Sequence, residues 1–126
     1  MAPRLLPTLA IVEVLSGGSE FRYRLLGTAI TRVAGRDATG RTLDAELYGS
    51  GIERMLAPYR RVLAEGAPVL TRSGVLFVDS WRSTDNMFVP FTLGSGEIDI
   101  IMVSVSVSAK KLVDDPKTGQ IAVFRD

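Results

Sequence analysis

The chain has 126 residues, enough for one domain that builds its own hydrophobic core without staples. Hydrophobic residues make up 46% and charged residues 23%, which excludes a disordered chain, and a net charge of +1 with scattered basic residues gives no field to hold a polyanion, so nucleic acid is not an expected partner. The absence of cysteine and histidine excludes disulfides, thiol nucleophiles, Cys-ligated metals and cysteinyl-flavin chemistry, and it removes the commonest general base and the commonest metal and haem ligand.

Met1 to Leu6 opens with a short apolar run, but Pro7 and Glu13 interrupt it and no small-residue cleavage site follows, so no secretory signal is expected. Leu9 to Leu15 is rich in β-branched residues and predicts a strand. Ser16-Gly17-Gly18-Ser19 supplies the glycines of a tight hairpin, and Phe21 to Leu26 is the return strand. Alternation there sets Phe21, Tyr23 and Leu25 on one face and Arg22 and Arg24 on the other. Thr28 is placed to cap a short helix with Ile30 on its apolar side, which Gly35 stops. A loop follows to Arg41, with Asp37 and Thr39 set for local side-chain to backbone hydrogen bonds, and Thr42-Leu43-Asp44 opens a further helical turn.

The clearest helix is predicted over Ile52 to Leu63. Ile52, Met55, Leu56, Tyr59, Val62 and Leu63 form one apolar stripe, Ser50 and Glu53 have capping-box spacing, and Gly66 and Pro68 end the element. Pro58 is discordant and predicts a break near Ala57. Three strands complete the domain. They run from Val69 to Phe77 with a bulge expected at Gly74, from Trp81 to Leu93, and from Ile98 to Val107. In the last, Ile101, Val103, Val105 and Val107 share the core face, and Met102, Ser104 and Ser106 share the other. That stretch is too short to span a membrane. Gly49-Ser50-Gly51 and Gly94-Ser95-Gly96 lack the context of nucleotide loops and read as plain turns. The domain is drawn over residues 1–107. Residues 108–126 form a C-terminal tail, with a hairpin or edge strand expected around Pro116.

The order is strand, strand, small helices, long helix and three strands, an α+β class built on an antiparallel sheet. It resembles the order of a PAS domain, and the phrases FRYRLLGT (21–28), GRDATGRTLD (35–44), PYRRVLAEGAP (58–68) and the segment Trp81 to Leu93 are similar to those of short bacterial PAS-like proteins. The resemblance covers residues ~9 to 107, its phrases lying in the order the elements require. It implies a five-stranded sheet in order 2-1-5-4-3 with helices over one face and a pocket between them. It implies a module that senses a small molecule or signals through a homodimer or partner protein, and it leaves the cofactor unknown; the absence of cysteine fits a cytoplasmic location. Members of that branch usually carry sequence ahead of the first strand, which leaves open a front segment missing here or supplied elsewhere. Pro90 falls in a strand that would be internal, where a residue without an N–H needs a bulge or a gap in the ladder.

For a ligand pocket the candidates are Tyr23, Ile30, Met55, Tyr59 and Met102; for contacts with a partner they are Arg36 and Trp81. Each has a plainer reading. Apolar stripes mostly mean core, Arg36 and Asp37 suit a loop salt bridge, and the single tryptophan suits core or interface alike. Two other classes of function stay open. One is a small cone-shaped α+β enzyme that takes its acid and base from Asp37, Asp79 or Asp85, and the other is an adaptor with a filled core.

Overall fold

A computed structural model describes residues 8–28, 30–31, 37–76, 81–94 and 96–112. Five strands, β1 (Leu9–Leu15), β2 (Glu20–Leu26), β3 (Val69–Leu76), β4 (Trp81–Thr92) and β5 (Ile98–Leu112), form one antiparallel sheet in the order β2-β1-β5-β4-β3. Two helices lie between β2 and β3: α1 (Ala45–Tyr48) and α2 (Ile52–Glu65). The α+β class and the strand order are those expected from the sequence.

β1 and β2 meet through a turn in which Gly17 and Gly18 have positive φ. A side chain at Gly18 would start 2.9 Å from Leu63 Cδ1, so the glycine lets the hairpin approach α2 closely. The register of the pair slips once. Ile11 faces Leu25 but Val12 faces Tyr23, which leaves Arg24 as an extra residue. This bulge reverses the side-chain parity of β2, so Leu25 turns outward and Leu26 turns in against the core. Simple alternation had set Leu25 beside Phe21 and Tyr23.

After β2 the chain starts a helical turn, with Thr31 N–H donating to Gly27 O at 3.0 Å and Ile30 buried. Residues 40–43 then run along the free edge of β2. Gly40 N–H donates to Tyr23 O, Tyr23 N–H to Arg41 O and Leu43 N–H to Phe21 O, at 2.7, 3.0 and 2.8 Å. That segment covers an edge that would otherwise present unpaired backbone groups. Asp44 caps α1 through its carboxylate, which accepts from Leu47 N–H at 3.0 Å. The predicted loop bonds of Asp37 are present, from Thr39 N–H at 3.0 Å and Thr39 Oγ1 at 2.6 Å.

Two expectations for the long helix are corrected. Ser50 does not cap it. A 3-10 turn (Gly49–Gly51) carries the chain straight into α2, so Ser50 lacks the extended conformation of a capping residue, and Glu53 pairs with Arg60 at 2.7 Å instead. Nor does the helix break at Ala57. It runs unbroken through Pro58 to Gly66, which adopts a left-handed conformation and donates to Val62 O. An interior proline costs ~3 kcal/mol. Met55, Leu56, Tyr59 and Val62, on both sides of Pro58, are all buried. At roughly 1.5–3 kcal/mol for each such side chain, keeping the stripe in one piece outweighs the lost bond.

β3 pairs with β4 from Val69↔Phe88 to Leu76↔Trp81 with no slip, so the bulge expected at Gly74 is absent. Pro90 faces Ile101 of β5, but β3 has already ended at Val69. One flank of β4 is therefore without a ladder partner at Pro90, which is where a residue with no N–H is tolerated. β5 continues five residues past the expected end, to Leu112 opposite Trp81. The hairpin expected around Pro116 lies outside the described residues.

The core sits between the helices and one face of the sheet. Val12, Phe21, Tyr23, Val69, Phe88, Ile101, Val103 and Val105 come from the strands, and Leu47, Tyr48, Met55, Tyr59 and Val62 from the helices. No described helix is long and apolar enough to cross a membrane.

Candidate functional site between the helices and the sheet

Three tyrosines from three elements bring their hydroxyls together inside this core. Tyr23 points inward by its place in β2, the short capped helix α1 delivers Tyr48, and the stripe of α2 delivers Tyr59. The Tyr23 and Tyr48 hydroxyl oxygens are 2.5 Å apart and share a hydrogen bond, and Tyr59 also hydrogen-bonds Tyr23. Their rings pack edge-on or tilted. Tyr23 meets Tyr48 at 6.5 Å, and Tyr59 bridges Phe21 at 5.4 Å and Phe88 at 5.1 Å. Burial is the main cause that pushes the Tyr23 and Tyr59 phenols well above their ordinary value; both neighbouring tyrosines add to it at Tyr23, whereas at Tyr59 the neighbouring Tyr48 adds to it and the hydrogen bond with Tyr23 opposes it. Both therefore stay neutral at physiological pH, and the cluster offers hydrogen bonds without charge.

Of the residues singled out from the sequence, Tyr23, Ile30, Met55 and Tyr59 lie in one buried cluster. Met102 does not join them. It follows Ile101 in β5 and so points to the opposite face, where it is half-buried between Ile11 and Val89. Arg36 lies outside the described residues, and of Trp81 only the backbone is described. A concavity of about 460 Å³ opens elsewhere, between the two hairpin turns and α2, with Val14, Gly18, Leu63, Glu97 and Ile98 among its walls. It includes none of the five pocket candidates.

Sequence reasoning missed Tyr48, Thr84 and Asn86. Tyr48 sits on a four-residue helix, too short for periodicity to reveal, although Asp44 signals its start. Thr84 and Asn86 are the only buried polar residues among those described. They share the inward parity of Phe88 in β4, which was a legible signal once the core face of that strand was fixed. Asn86 Nδ2 donates to Thr71 Oγ1 across to β3 at 3.1 Å, whereas Thr84 Oγ1 has no partner.

The carboxylates considered for acid–base work do not show its signature. Arg72 pairs with Asp85 at 2.7 Å and holds its carboxyl below the usual range, and the hydrogen bonds from Thr39 do the same to Asp37. A general acid needs a shift in the other direction. Asp79 lies outside the described residues. Among the described residues no three His, Cys, Asp or Glu side chains gather as metal ligands.

The outer face of the sheet has a different character. Leu25, Ile11, Met102 and Val89 form a row across four strands, and Met87 and Leu70 extend it toward β3. Leu25, Leu70, Met87 and Phe91 are 44%, 72%, 41% and 44% exposed, so this apolar band is open to solvent. Surface ion pairs flank it, Arg22 with Glu13 at 3.0 Å on the β2 side and Arg72 with Asp85 on the β3 side.

No protein-family model matches the chain, and no curated protein matches it. Solved structures do. The PAS domain of Bordetella pertussis BvgS superposes with a TM-score of 0.61 at 18% identity, over 81% of this chain and 76% of that one. A LOV protein of Rhodobacter sphaeroides superposes with a TM-score of 0.60 at 15% identity, over 85% of this chain and 62% of that one. The chain thus has the PAS-like fold that its element order and local phrases resemble, and it spans less than two thirds of the LOV protein's length.

Proposed function

We propose that the chain is a sensory or regulatory module of bacterial signalling that binds a small ligand, or a partner protein, and acts by a shift of conformation or by dimerisation, without catalysis. The supporting observation is the two-sidedness of its sheet. One face carries buried hydroxyls within an apolar core, under helices, and the other carries an apolar band in which Leu25, Leu70, Met87 and Phe91 are exposed. A ligand that favours one packing of helices on the sheet shifts the population toward that packing, and the same strands present the change on the outer face. The likeness in fold to a PAS domain and a LOV protein agrees with this role. The depressed Asp37 and Asp85 carboxyls weigh against the alternative of an aspartate-based enzyme.

Thermal unfolding with and without a metabolite library, together with sedimentation over a range of concentrations, tests the proposal. A true ligand at a hundred times its dissociation constant adds about 2.7 kcal/mol of stability. A protein that responds to no compound and stays monomeric at every concentration is not such a module.

A further inference from the structure

We propose that β3 is a self-pairing edge: two copies of the chain add β3 to β3, antiparallel about a two-fold axis, and join their five-stranded sheets into one. The inference rests on the dimerisation arm of the reading above and names its surface and register.

The two ends of the sheet differ. Backbone groups on the outer flank of β2 are taken up by residues 40–43. At the other end β3 pairs with β4, and its outer flank has no partner among the described residues. Leu70 is 72% exposed and the Arg72 side chain 75%, so solvent reaches the strand there. An edge strand presents a row of N–H and C=O groups to any extended chain, and monomeric proteins blunt such an edge with a bulge, a proline or a lysine. β3 has none of these. Its register with β4 runs from Val69 to Leu76 without a slip, and within VLTRSGVL the one charged residue, Arg72, is already paired with Asp85 at 2.7 Å.

A second copy suits this edge because the strand complements itself. Pairing about a two-fold axis normal to the sheet keeps outer face beside outer face, so residues of like parity oppose one another. Two such registers pair most of the strand, one centred on Arg72 and one on Ser73. The first sets the two guanidinium groups directly opposite each other, and like charges there repel. The second sets Arg72 opposite Gly74 of the second copy and Leu70 opposite Leu76. Gly74 offers no side chain to crowd the guanidinium, and close approach of another chain is one reason for glycine in a strand that has no bulge. Roughly six to eight backbone hydrogen bonds close the joint. The apolar band that reaches β3 at Leu70 then continues into the band of the second copy.

Sedimentation equilibrium of wild type, Gly74→Lys and Gly74→Glu tests the register, and amide hydrogen exchange of dilute and concentrated wild type tests the surface. Gly74→Lys places an ammonium opposite Arg72 twice over, by symmetry, and should raise the dimer dissociation constant about tenfold. Gly74→Glu places a carboxylate there and should lower it. Alternate amides of β3 should exchange more slowly in the concentrated sample, a readout that needs no variant to fold. A dimer that both substitutions weaken alike is not joined in this register, and a face-to-face dimer behaves in that way. A dimer without added protection at β3 is joined elsewhere. Either result overturns the inference while the dimerisation reading stands. A chain that stays monomeric at every concentration overturns both, and leaves the wider proposal to the metabolite screen.

Discussion

A tyrosine hydroxyl is a poor thing to bury alone, and this core buries three that satisfy one another. The arrangement ties stability to alkali. Unfolded tyrosines release their protons around the ordinary value of 10.0, but Tyr23 and Tyr59 in the folded chain hold theirs well above it. Above pH 10 the native state thus binds more protons than the unfolded state, so stability falls as pH rises. The contribution is complete below pH 10 and is lost progressively above it, at about 1.4 kcal/mol per pH unit for each tyrosine. Urea unfolding between pH 8 and 11.5 should show a flat region and then a steepening decline. Absorbance of tyrosinate from Tyr23 and Tyr59 should appear together with unfolding. Early titration of all three in the folded chain would mean that the cluster is open to water. The sequence marked Tyr23 and Tyr59 through strand alternation and the helical stripe, and it gave no such mark to Tyr48, whose position depends on a four-residue helix and its aspartate cap.

At the level of elements, legibility follows the strength of local patterning. All five strands and the long helix were readable, because period-two alternation and a continuous apolar stripe are imposed directly by burial. What escaped was set by contacts between elements. The bulge at Arg24 reverses Leu25 and Leu26 only because of the register against β1, the helix survives Pro58 only because the sheet buries its stripe, and Pro90 is tolerated because β3 stops at Val69. The turn joining β1 and β2 gives a direct test of one such contact. Gly17→Ala meets no neighbouring atom and suffers only from its positive φ, at a cost of about 1 kcal/mol. Gly18→Ala combines a positive φ with a Cβ 2.9 Å from Leu63 Cδ1 and should lose more, about 2 kcal/mol in denaturant unfolding. Equal losses at the two positions would show that Leu63 yields freely and that the hairpin does not press on α2.

Among the described residues one sheet face lies under helices and the other carries an exposed apolar band, and the size of that band bounds what it can hold. Five strands about 4.8 Å apart span roughly 19 Å, and the apolar band runs a similar length along them, which gives on the order of 400 Å² per copy. A pair of such faces buries about 800 Å² in total, at the lower end for specific association. A homodimer through this face is therefore expected to be reversible and concentration-dependent, not permanent. Met102 lies near its centre, on the middle strand and between Ile11 and Val89. Because its side chain faces away from the core, Met102→Lys places a charge in the band while Ile101 and Val103 keep their packing. Burying that unpaired ammonium against a second copy should raise the dimer dissociation constant at least about tenfold, with circular dichroism and urea unfolding of the monomer nearly unchanged. Sedimentation profiles that superimpose for wild type and variant would place any self-association on another surface, and would leave the band to a partner of different sequence.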